Sequence, residues 1–236
     1  MASWEKEGAL KRYELVFMDA DETIFDFGKA EAFALAGAFE QFGLEATSDI
    51  VRDYDEINKG LWKKFERGET DQATLKIERF RLLFQKVGVY LDEGLFSDAY
   101  LDWLGKGGFL LDGAEELCEY LAGKYRLAIV TNGIKKVQRS RFDNSPIRRY
   151  FESIVISEEA GSSKPSAGIF DYACSSLGFH DKSGMIMVGD SLSSDVAGGA
   201  NYGMDTCWVN LSEAVNNTDI APTYEVRRLK DIMKIL

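Results

Sequence analysis

The stretch Leu15-Val16-Phe17-Met18-Asp19-Ala20-Asp21-Glu22-Thr23 decides the fold, because an apolar run leads directly into a loop with three acids. A run of this kind is typical of a buried strand that ends at a site. Four more short apolar runs share the form: 127–130, 154–156, 185–188 and 206–209. Helical patterns separate the runs. The alternation predicts a doubly wound α/β sheet of parallel strands joined by right-handed crossovers.

One segment, residues 26–105, interrupts this alternation with helical periodicity alone. Four stretches in it carry apolar residues at steps of three and four: 29–42, 50–65, 73–87 and 93–104. Such spacing predicts amphipathic helices. We therefore expect a helical cap domain over 26–105, inserted into a core formed by 1–25 and 106–236. A short extended segment at 223–226 and a terminal helix should complete the core.

The charge balance limits the possible partners. The 236 residues include 28 Lys+Arg and 39 Asp+Glu, which gives a net charge of −11. This balance excludes a basic nucleic-acid binder. The apolar stretches are too short to span a bilayer. Residues 1–7 include acidic residues where a secretion signal needs a basic region followed by an apolar run. We expect a cytoplasmic monomer or homodimer that binds neither nucleic-acid polymers nor membranes.

The few cysteine and histidine residues limit the metal chemistry. Cys118, Cys174 and Cys207 cannot all pair and lie in apolar stretches, so buried free thiols in a reducing compartment are expected. His180 is the single imidazole and follows the end of a predicted helix, which favours a surface position. The sequence therefore leaves almost no room for a histidine-ligated zinc site or a Ser-His-Asp triad. A metal in this protein should have oxygen ligands.

Carboxylates follow two of the predicted strands. Asp19 and Asp21 follow the first strand, and Asp190 and Asp195 follow the strand at 185–188. Ligands of doubly wound sheets bind beyond the carboxyl ends of the strands. If these strands are neighbours, the acids meet, and their oxygens select Mg²⁺. A solvated acidic turn, and for Asp195 an N-cap, are the alternative interpretations.

Two further loops carry phosphate-binding chemistry. Thr131 and Asn132 offer a hydroxyl and backbone N–H groups near the start of a helix, where an anion is favoured. Lys164 precedes another predicted helix, and its ammonium could neutralise phosphate oxygens or a carboxylate. Taken singly, a satisfied turn and a solvated lysine would explain these residues equally well.

The ordered set of Asp-x-Asp-x-Thr, Thr-Asn-Gly, Lys-Pro and Gly-Asp-Ser-x-x-x-Asp resembles the haloacid dehalogenase (HAD) superfamily of phosphotransferases. This resemblance implies a Rossmann-like core, with the helical insertion where the superfamily places its C1-type cap. Four segments further resemble the pyrimidine 5′-nucleotidase subgroup, which dephosphorylates nucleoside monophosphates: 17–27, 58–62, 155–159 and 206–210. Glu22 stands where glycine is common across the superfamily, but the Asp-Ala-Asp-Glu-Thr form suits the subgroup.

The resemblance also implies the chemistry of the site. Asp19 would be the nucleophile that forms an aspartyl-phosphate, and Asp21 would be the general acid and base. An alkoxide leaving group needs the proton that Asp21 supplies, whereas a halide does not. The acid two positions after the nucleophile therefore favours phosphate chemistry over dehalogenation.

Other roles are assigned by the same resemblance. The phosphate would be bound by Thr131, Asn132 and Lys164. Mg²⁺ would be held by Asp19, the backbone carbonyl of Asp21, and Asp190. Asp195 would orient either the water shell of the metal or Lys164.

The predicted cap should decide which leaving group is accepted. The candidates that could enclose a ribose and a base are Phe25, Phe27, Asn58, Lys59 and Trp62. Aromatic residues of helices are mostly core, and lysines are mostly solvated. The expected function is Mg²⁺-dependent hydrolysis of nucleoside 5′-monophosphates with a pyrimidine preference. The alternatives are a phosphatase of small sugar or organic phosphates, a non-catalytic phosphate-binding module, and a mutase, which would need a second cationic cluster.

Overall fold

The computed structural model describes residues 13–236 and contains a six-stranded parallel sheet. The strands are β1 (Leu15–Met18), β2 (Arg126–Thr131), β3 (Ser153–Ile156), β4 (Met185–Gly189), β5 (Asp205–Val209) and β6 (Tyr224–Val226). Their order is β3-β2-β1-β4-β5-β6, and every neighbouring pair is parallel. The predicted α/β class is thus confirmed. Residues 1–12, which include the stretch compared with a secretion signal and the start of the predicted core segment, lie outside the described residues.

The central strand β1 shows why the strands of this sheet are continuous apolar runs. Val16 and Met18 point to one hydrophobic cluster, whereas Leu15 and Phe17 point to another on the opposite face. All four side chains are buried. Because a strand in the middle of a parallel sheet is covered on both faces, it needs apolar residues at successive positions rather than at alternate ones.

Helices cover both faces of this sheet. They are α5 (Ala114–Ala122), α6 (Lys135–Asp143), α7 (Ser157–Ala160), α8 (Ala167–Leu177) and α9 (Ala197–Tyr202). Short 3₁₀ helices cover Pro146–Tyr150, Lys182–Gly184 and Leu229–Lys234, and one π-helical turn covers Leu192–Val196. The terminal helix expected from the sequence is therefore a 3₁₀ helix. It keeps Leu229 and Ile232 on the buried side, as three residues per turn require.

Along the chain, four helices lie between β1 and α5. They are α1 (Phe27–Gln41), α2 (Ser48–Glu66), α3 (Gln72–Val87) and α4 (Glu93–Lys106). Their common core contains Phe39, Phe80, Phe84 and Phe96, and the rings of Phe80 and Phe96 lie 4.9 Å apart in an edge-to-face arrangement. Each aromatic pair of this kind contributes about 0.5–1.5 kcal/mol beyond its buried area. The division into domains at residues 26 and 105 stays a prediction.

Local capping explains where these four helices begin. The side chains of Asp26, Asp71 and Asp92 accept hydrogen bonds of 2.7–2.8 Å from the backbone N–H three residues later. Thr47 caps α2 in the same way at 3.4 Å. A side-chain cap of this type contributes about 1 kcal/mol. The four capping residues thus fix the starts of the helices independently of their packing.

Two expectations about single residues are confirmed. Cys118, Cys174 and Cys207 are buried and free, and His180 is exposed. Among the helices of residues 13–236, none is both long and apolar enough to cross a membrane.

Candidate active site

The carboxyl ends of β1, β2 and β4 bring three of the four motif loops together. Strand β1 lies between β2 and β4, and the N–H of Asp19 donates to the carbonyl of Val188 at 2.9 Å. Asp19 thus extends the ladder one residue beyond β1, beside the strand that leads to Asp190. Thr131 ends β2 on the other side of β1. The adjacency on which the predicted site depended is therefore present.

Three carboxylates form the centre of the site. Asp19, Asp190 and Asp195 each place an oxygen within 4.8 Å of the others. Burial raises the pKa of Asp190 well above its usual range, and the neighbouring charges of Asp195 and Asp19 raise it further. Carboxylate oxygens are the ligands that Mg²⁺ prefers, and excess negative charge is what a divalent cation relieves. The cluster therefore fits the predicted metal.

Lys164 supplies a cation within the cluster. Its Nζ donates to Asp19 Oδ1 at 2.5 Å and to Asp195 Oδ1 at 2.6 Å, and its side chain is 1% exposed. Burial alone would lower the pKa of Lys164, but the two carboxylates raise it above its ordinary value. Lys164 is therefore charged at neutral pH. One ammonium opposes three carboxylates, so the cluster keeps a net negative charge.

Asp195 is held by its own loop as well as by Lys164. Its second oxygen accepts a hydrogen bond from the N–H of Ser191 at 3.0 Å. A side chain at position 189 would overlap this carboxylate, which explains the glycine of the Gly-Asp-Ser motif. Of the two partners predicted for Asp195, Lys164 is the one that it contacts directly.

The side chain of Asn132 supports the loop that carries Lys164. Its side-chain oxygen accepts from the N–H of Lys164 at 2.8 Å, and its side-chain nitrogen donates to the carbonyl of Lys164 at 2.9 Å. Both polar atoms of the side chain thus fix the backbone that carries the lysine. Phosphate binding by the backbone N–H groups of this turn stays a prediction. Thr131 is buried beside it, and its hydroxyl accepts from the N–H of Gly133 at 3.0 Å.

Asp21 has two partners that the sequence did not reveal. Arg141 donates to Oδ1 at 2.5 Å, and Gln138 donates to Oδ2 at 2.6 Å. Both partners lie on α6, and the side chain of Arg141 is fully buried. Arg141 also donates to the carbonyl of Leu104 in α4 at 3.2 Å. The sequence feature that could have identified these two polar residues is their spacing of three on the helix that follows Thr-Asn-Gly.

Glu22 adopts a backbone conformation that favours glycine, with φ of 56°. Its carboxylate accepts a hydrogen bond from the N–H of Gly28 at 2.9 Å. Gly28 lies in the first turn of α1, so this bond ties the acidic loop to the helix that follows it. The contact offsets part of the cost of a side chain in the left-handed region.

A narrow cavity of about 20 Å³, with room for about one water molecule, lies between the helices α1–α4 and the sheet core. Its walls include Asp21, Phe27, Trp62, Arg79 and Gln138. Of the predicted substrate residues, Phe27 and Trp62 therefore face a space next to the acidic loop. Arg79 was not identified from the sequence. Only its position on the buried face of an amphipathic helix could have indicated it.

The other three candidate substrate residues do not line this cavity, and their contact with substrate stays a prediction. Phe25 is fully buried, and its ring packs against Phe142 at a centroid distance of 5.1 Å. Asn58 is 2% exposed and donates to Glu31 at 2.7 Å. Lys59 is an exposed residue that pairs with Asp55 at 2.9 Å. Helical periodicity identifies the buried face of a helix but not which residues of that face reach the cavity.

The structure joins the predicted cap to the core by polar contacts around the site. Gln72 of α3 donates to the carbonyl of Asn132 at 2.7 Å. Lys76 of α3 pairs with Glu158 at 2.9 Å. Ser193, beside the acidic cluster, donates to Glu66 of α2 at 2.7 Å. These three contacts hold the helices over the carboxyl edge of the sheet.

Glu31 is a buried carboxyl group in α1 whose ionisation opposes folding. Burial raises its pKa from 4.5 to about 7, although Asn58 and Arg79 favour the charged form. A carboxyl group with a raised pKa contributes no penalty below pH 4.5 and its full penalty above pH 7. The stability of the protein should therefore fall through this window as the pH rises.

We expect Glu31→Gln to remove this pH dependence. Between pH 5 and pH 8, the free energy of unfolding of the wild type should fall by about 2 to 3 kcal/mol relative to the variant. Urea unfolding at the two pH values measures this difference. Glu40→Gln, at an exposed position of the same helix, is the matched control. Parallel behaviour of Glu31→Gln and the wild type would show that Glu31 ionises freely in the folded protein.

Comparisons with known proteins agree with this geometry. Residues 13–203 match the family model of haloacid dehalogenase-like hydrolases. The magnesium-bound crystal structure of YfnB from Bacillus subtilis is 37% identical, with a TM-score of 0.91 over 96% of this chain and 99% of that one. The pyrimidine 5′-nucleotidases YjjG of Escherichia coli and PynA of Streptococcus pneumoniae are each 33% identical over 95% of this chain, covering 98% and 95% of those proteins.

The family match covers the strands β1–β4, the helices α1–α4, the acidic cluster and Lys164, and the similarity to YfnB extends over 96% of the chain. The chain belongs to the haloacid dehalogenase-like hydrolases.

Proposed function

We propose that this protein is a Mg²⁺-dependent phosphatase that hydrolyses nucleoside 5′-monophosphates, with a preference for pyrimidines. The observation that carries the proposal is the position of Asp19. Its carboxylate lies in a cluster with Asp190, Asp195 and Lys164, next to a cavity with aromatic walls. The names of YjjG and PynA support the same substrate class. Three buried free thiols support a reducing compartment such as the cytoplasm.

In the first step, a carboxylate oxygen of Asp19 attacks the phosphorus of the monoester. The bond between phosphorus and the ester oxygen breaks, and the nucleoside leaves with a proton from Asp21. The product on the enzyme is an aspartyl-phosphate at Asp19. Lys164 lies at hydrogen-bond distance from Asp19, so its charge acts on the phosphoryl oxygens where negative charge accumulates.

In the second step, water attacks the phosphorus of the aspartyl-phosphate and gives a proton to Asp21. The bond to Asp19 breaks, and inorganic phosphate forms. Arg141 and Gln138 bind the ionised form of Asp21, so the arrangement described above corresponds to the form that accepts this proton. The proton that Asp21 gains is the one that it donates in the next cycle.

The metal would be held by Asp19, Asp190 and the backbone carbonyl of Asp21. When bound, Mg²⁺ neutralises carboxylate and phosphate charge, which allows an anionic ester to approach an anionic nucleophile. Asp195 contributes indirectly, because its oxygens are engaged by Lys164 and Ser191.

Entry of a nucleotide into the cavity requires the helical region to move. The cavity of about 20 Å³ is too small for a nucleotide, and polar contacts that include those of Gln72, Lys76 and Ser193 join the helices to the core. The structure of YfnB reveals interdomain movement. We propose the same for this chain, with motion at the connections on either side of α1–α4.

A phosphate-release screen tests the function. We expect UMP and other pyrimidine nucleoside monophosphates to give kcat/KM values at least about 10-fold above those of ribose 5-phosphate. Chelation should lower turnover by more than about 100-fold, and Mg²⁺ should restore it. Ca²⁺ should not, because it is larger and favours more ligands in looser geometry.

Other outcomes of the screen identify the alternatives. Turnover of sugar phosphates with no preference for nucleotides would replace the proposed substrate class. Turnover of none of the esters, with or without Mg²⁺, would favour a non-catalytic phosphate-binding module.

A further inference from the structure

Arg79 of α3 is a buried cation that forms no ion pair in the described part of the chain. The residue is 1% exposed, and its Nη2 is buried without a hydrogen-bond partner. Its Nε donates to the carbonyl of Lys76 at 3.3 Å. Among residues 13–236, no carboxylate forms an ion pair with it, although buried charges are normally paired and hydrogen-bonded.

Two aromatic rings fix the guanidinium where it lines the cavity. It lies 4.9 Å from the ring centre of Phe80 and 4.7 Å from that of Tyr100. Cation–π contacts of this kind orient a guanidinium but leave its N–H groups free to donate. Arg79 therefore presents a donor group of fixed orientation beside Phe27 and Trp62.

The surroundings of Arg79 contain further polar atoms without partners. The side-chain oxygen of Asn58 is buried and unpaired, and the buried hydroxyls of Tyr54 and Tyr100 have no partner other than each other. The ring of Tyr54 lies 5.4 Å from that of Tyr100, and Asn58 contacts Glu31. Most buried polar atoms in proteins are satisfied, so the unsatisfied guanidinium nitrogen of Arg79 in the wall of the cavity points to a ligand.

We propose that Arg79 is a specificity-determining residue that binds a carbonyl oxygen of the pyrimidine base of the leaving nucleoside. This inference rests on the proposed function and assigns one contact in it. A guanidinium donates from adjacent N–H groups in one plane, which suits an oxygen at the edge of a flat ring. The aromatic side chains of Phe27 and Trp62 provide walls for such a ring.

The neighbouring Glu31 helps to define the ligand. Its carboxyl group lies close enough to Arg79 for their charges to interact, and it is bonded to Asn58. A second anionic group on the substrate, such as a carboxylate or another phosphate, would be repelled by an ionised Glu31. A neutral carbonyl is not repelled, so the site favours an uncharged base over an acidic sugar.

The test compares two substrates that differ only in the base. We expect Arg79→Met to lower kcat/KM for UMP by about 10- to 100-fold, which is the range for loss of a hydrogen bond to a charged group. The change should fall mainly on KM, because the contact is present before the chemical step. Turnover of ribose 5-phosphate should stay within about 3-fold. Arg81→Met, at an exposed arginine of the same helix, is the matched control.

Equilibrium binding of uridine separates failure of the inference from failure of the proposed function. Isothermal titration should show binding to the wild type and Arg81→Met, and at least about 10-fold weaker binding to Arg79→Met. Equal losses of kcat/KM on UMP and ribose 5-phosphate, or uridine binding that is equal in both arginine variants, would overturn the role of Arg79. A wild type that turns over ribose 5-phosphate as well as UMP, yet binds uridine through Arg79, would overturn the proposed substrate class alone.

Discussion

The variant Asp19→Asn is expected to lower kcat by at least about 10⁴-fold while the protein stays folded. An amide oxygen is a poor nucleophile, so the aspartyl-phosphate cannot form. The shape of the side chain is unchanged, and its oxygen can still accept the hydrogen bond from Lys164. The backbone position is set by β1 and by the bond to Val188, neither of which involves the side chain.

Two measurements distinguish this loss from unfolding. Rapid acid quenching with labelled substrate should trap phosphate covalently on the wild type and not on Asp19→Asn. The melting temperature of the variant without metal should equal or exceed that of the wild type, because one of three clustered carboxylates loses its charge.

The matched control for this experiment is Asp181→Asn. Asp181 caps the short helix Lys182–Gly184 before β4, at the opposite end of the strand from Asp190. Asparagine caps helices as well as aspartate does, so activity should be unchanged. Covalent labelling of Asp19→Asn, or turnover near that of the wild type, would contradict the assignment of the nucleophile.

The core of the site could be predicted from the sequence because its residues follow strands directly. Asp19, Thr131 and Asp190 each come at or just after the end of a buried apolar run, and a parallel sheet places such ends at one edge. No knowledge of helix packing is needed for this step. Lys164 required the resemblance to a family, since its loop lies between β3 and β4 and a lone lysine is ordinarily solvated.

The contacts of the helical region could not be predicted because they depend on how each helix is rotated. Trp62 and Asn58 are both on α2, four residues apart, yet one lines the cavity and the other contacts Glu31 inside the helical bundle. Residues four apart lie on the same face of a helix, so periodicity does not separate them. Phe25 does not line the cavity for a different reason: a bridge to Leu110 directs its ring into the core.

The partners of Asp21 illustrate a third kind of contact. Arg141 lies 120 positions away along the chain and reaches Asp21 from α6. Its sequence neighbours form an ordinary helix with basic residues, from which an exposed surface is the natural expectation. Only the docking of α6 against α4 buries this guanidinium. The motif thus predicted Asp21 as the acid and base, but it did not predict the groups that position Asp21.

Lys164→Met is expected to damage both stability and turnover, and the metal should separate the two effects. Without metal, the variant leaves three carboxylates within 4.8 Å of one another and without their ammonium. Removal of one partner of a buried ion pair costs about 3 to 5 kcal/mol. The loss should be smaller at pH 5 than at pH 8, because the carboxylates can relieve their repulsion by taking up protons.

Saturating Mg²⁺ should restore much of this stability but little of the activity. The cluster in Lys164→Met carries one more net negative charge than in the wild type, so it should bind the cation more tightly and show a larger rise in melting temperature. Turnover should stay about 10³-fold below that of the wild type, since the phosphoryl oxygens lose the ammonium. Lys230→Met, at an exposed position, is the control and should match the wild type. Equal melting temperatures of Lys164→Met and the wild type without metal, with equal shifts on adding Mg²⁺, would show that Lys164 does not balance the charge of the cluster.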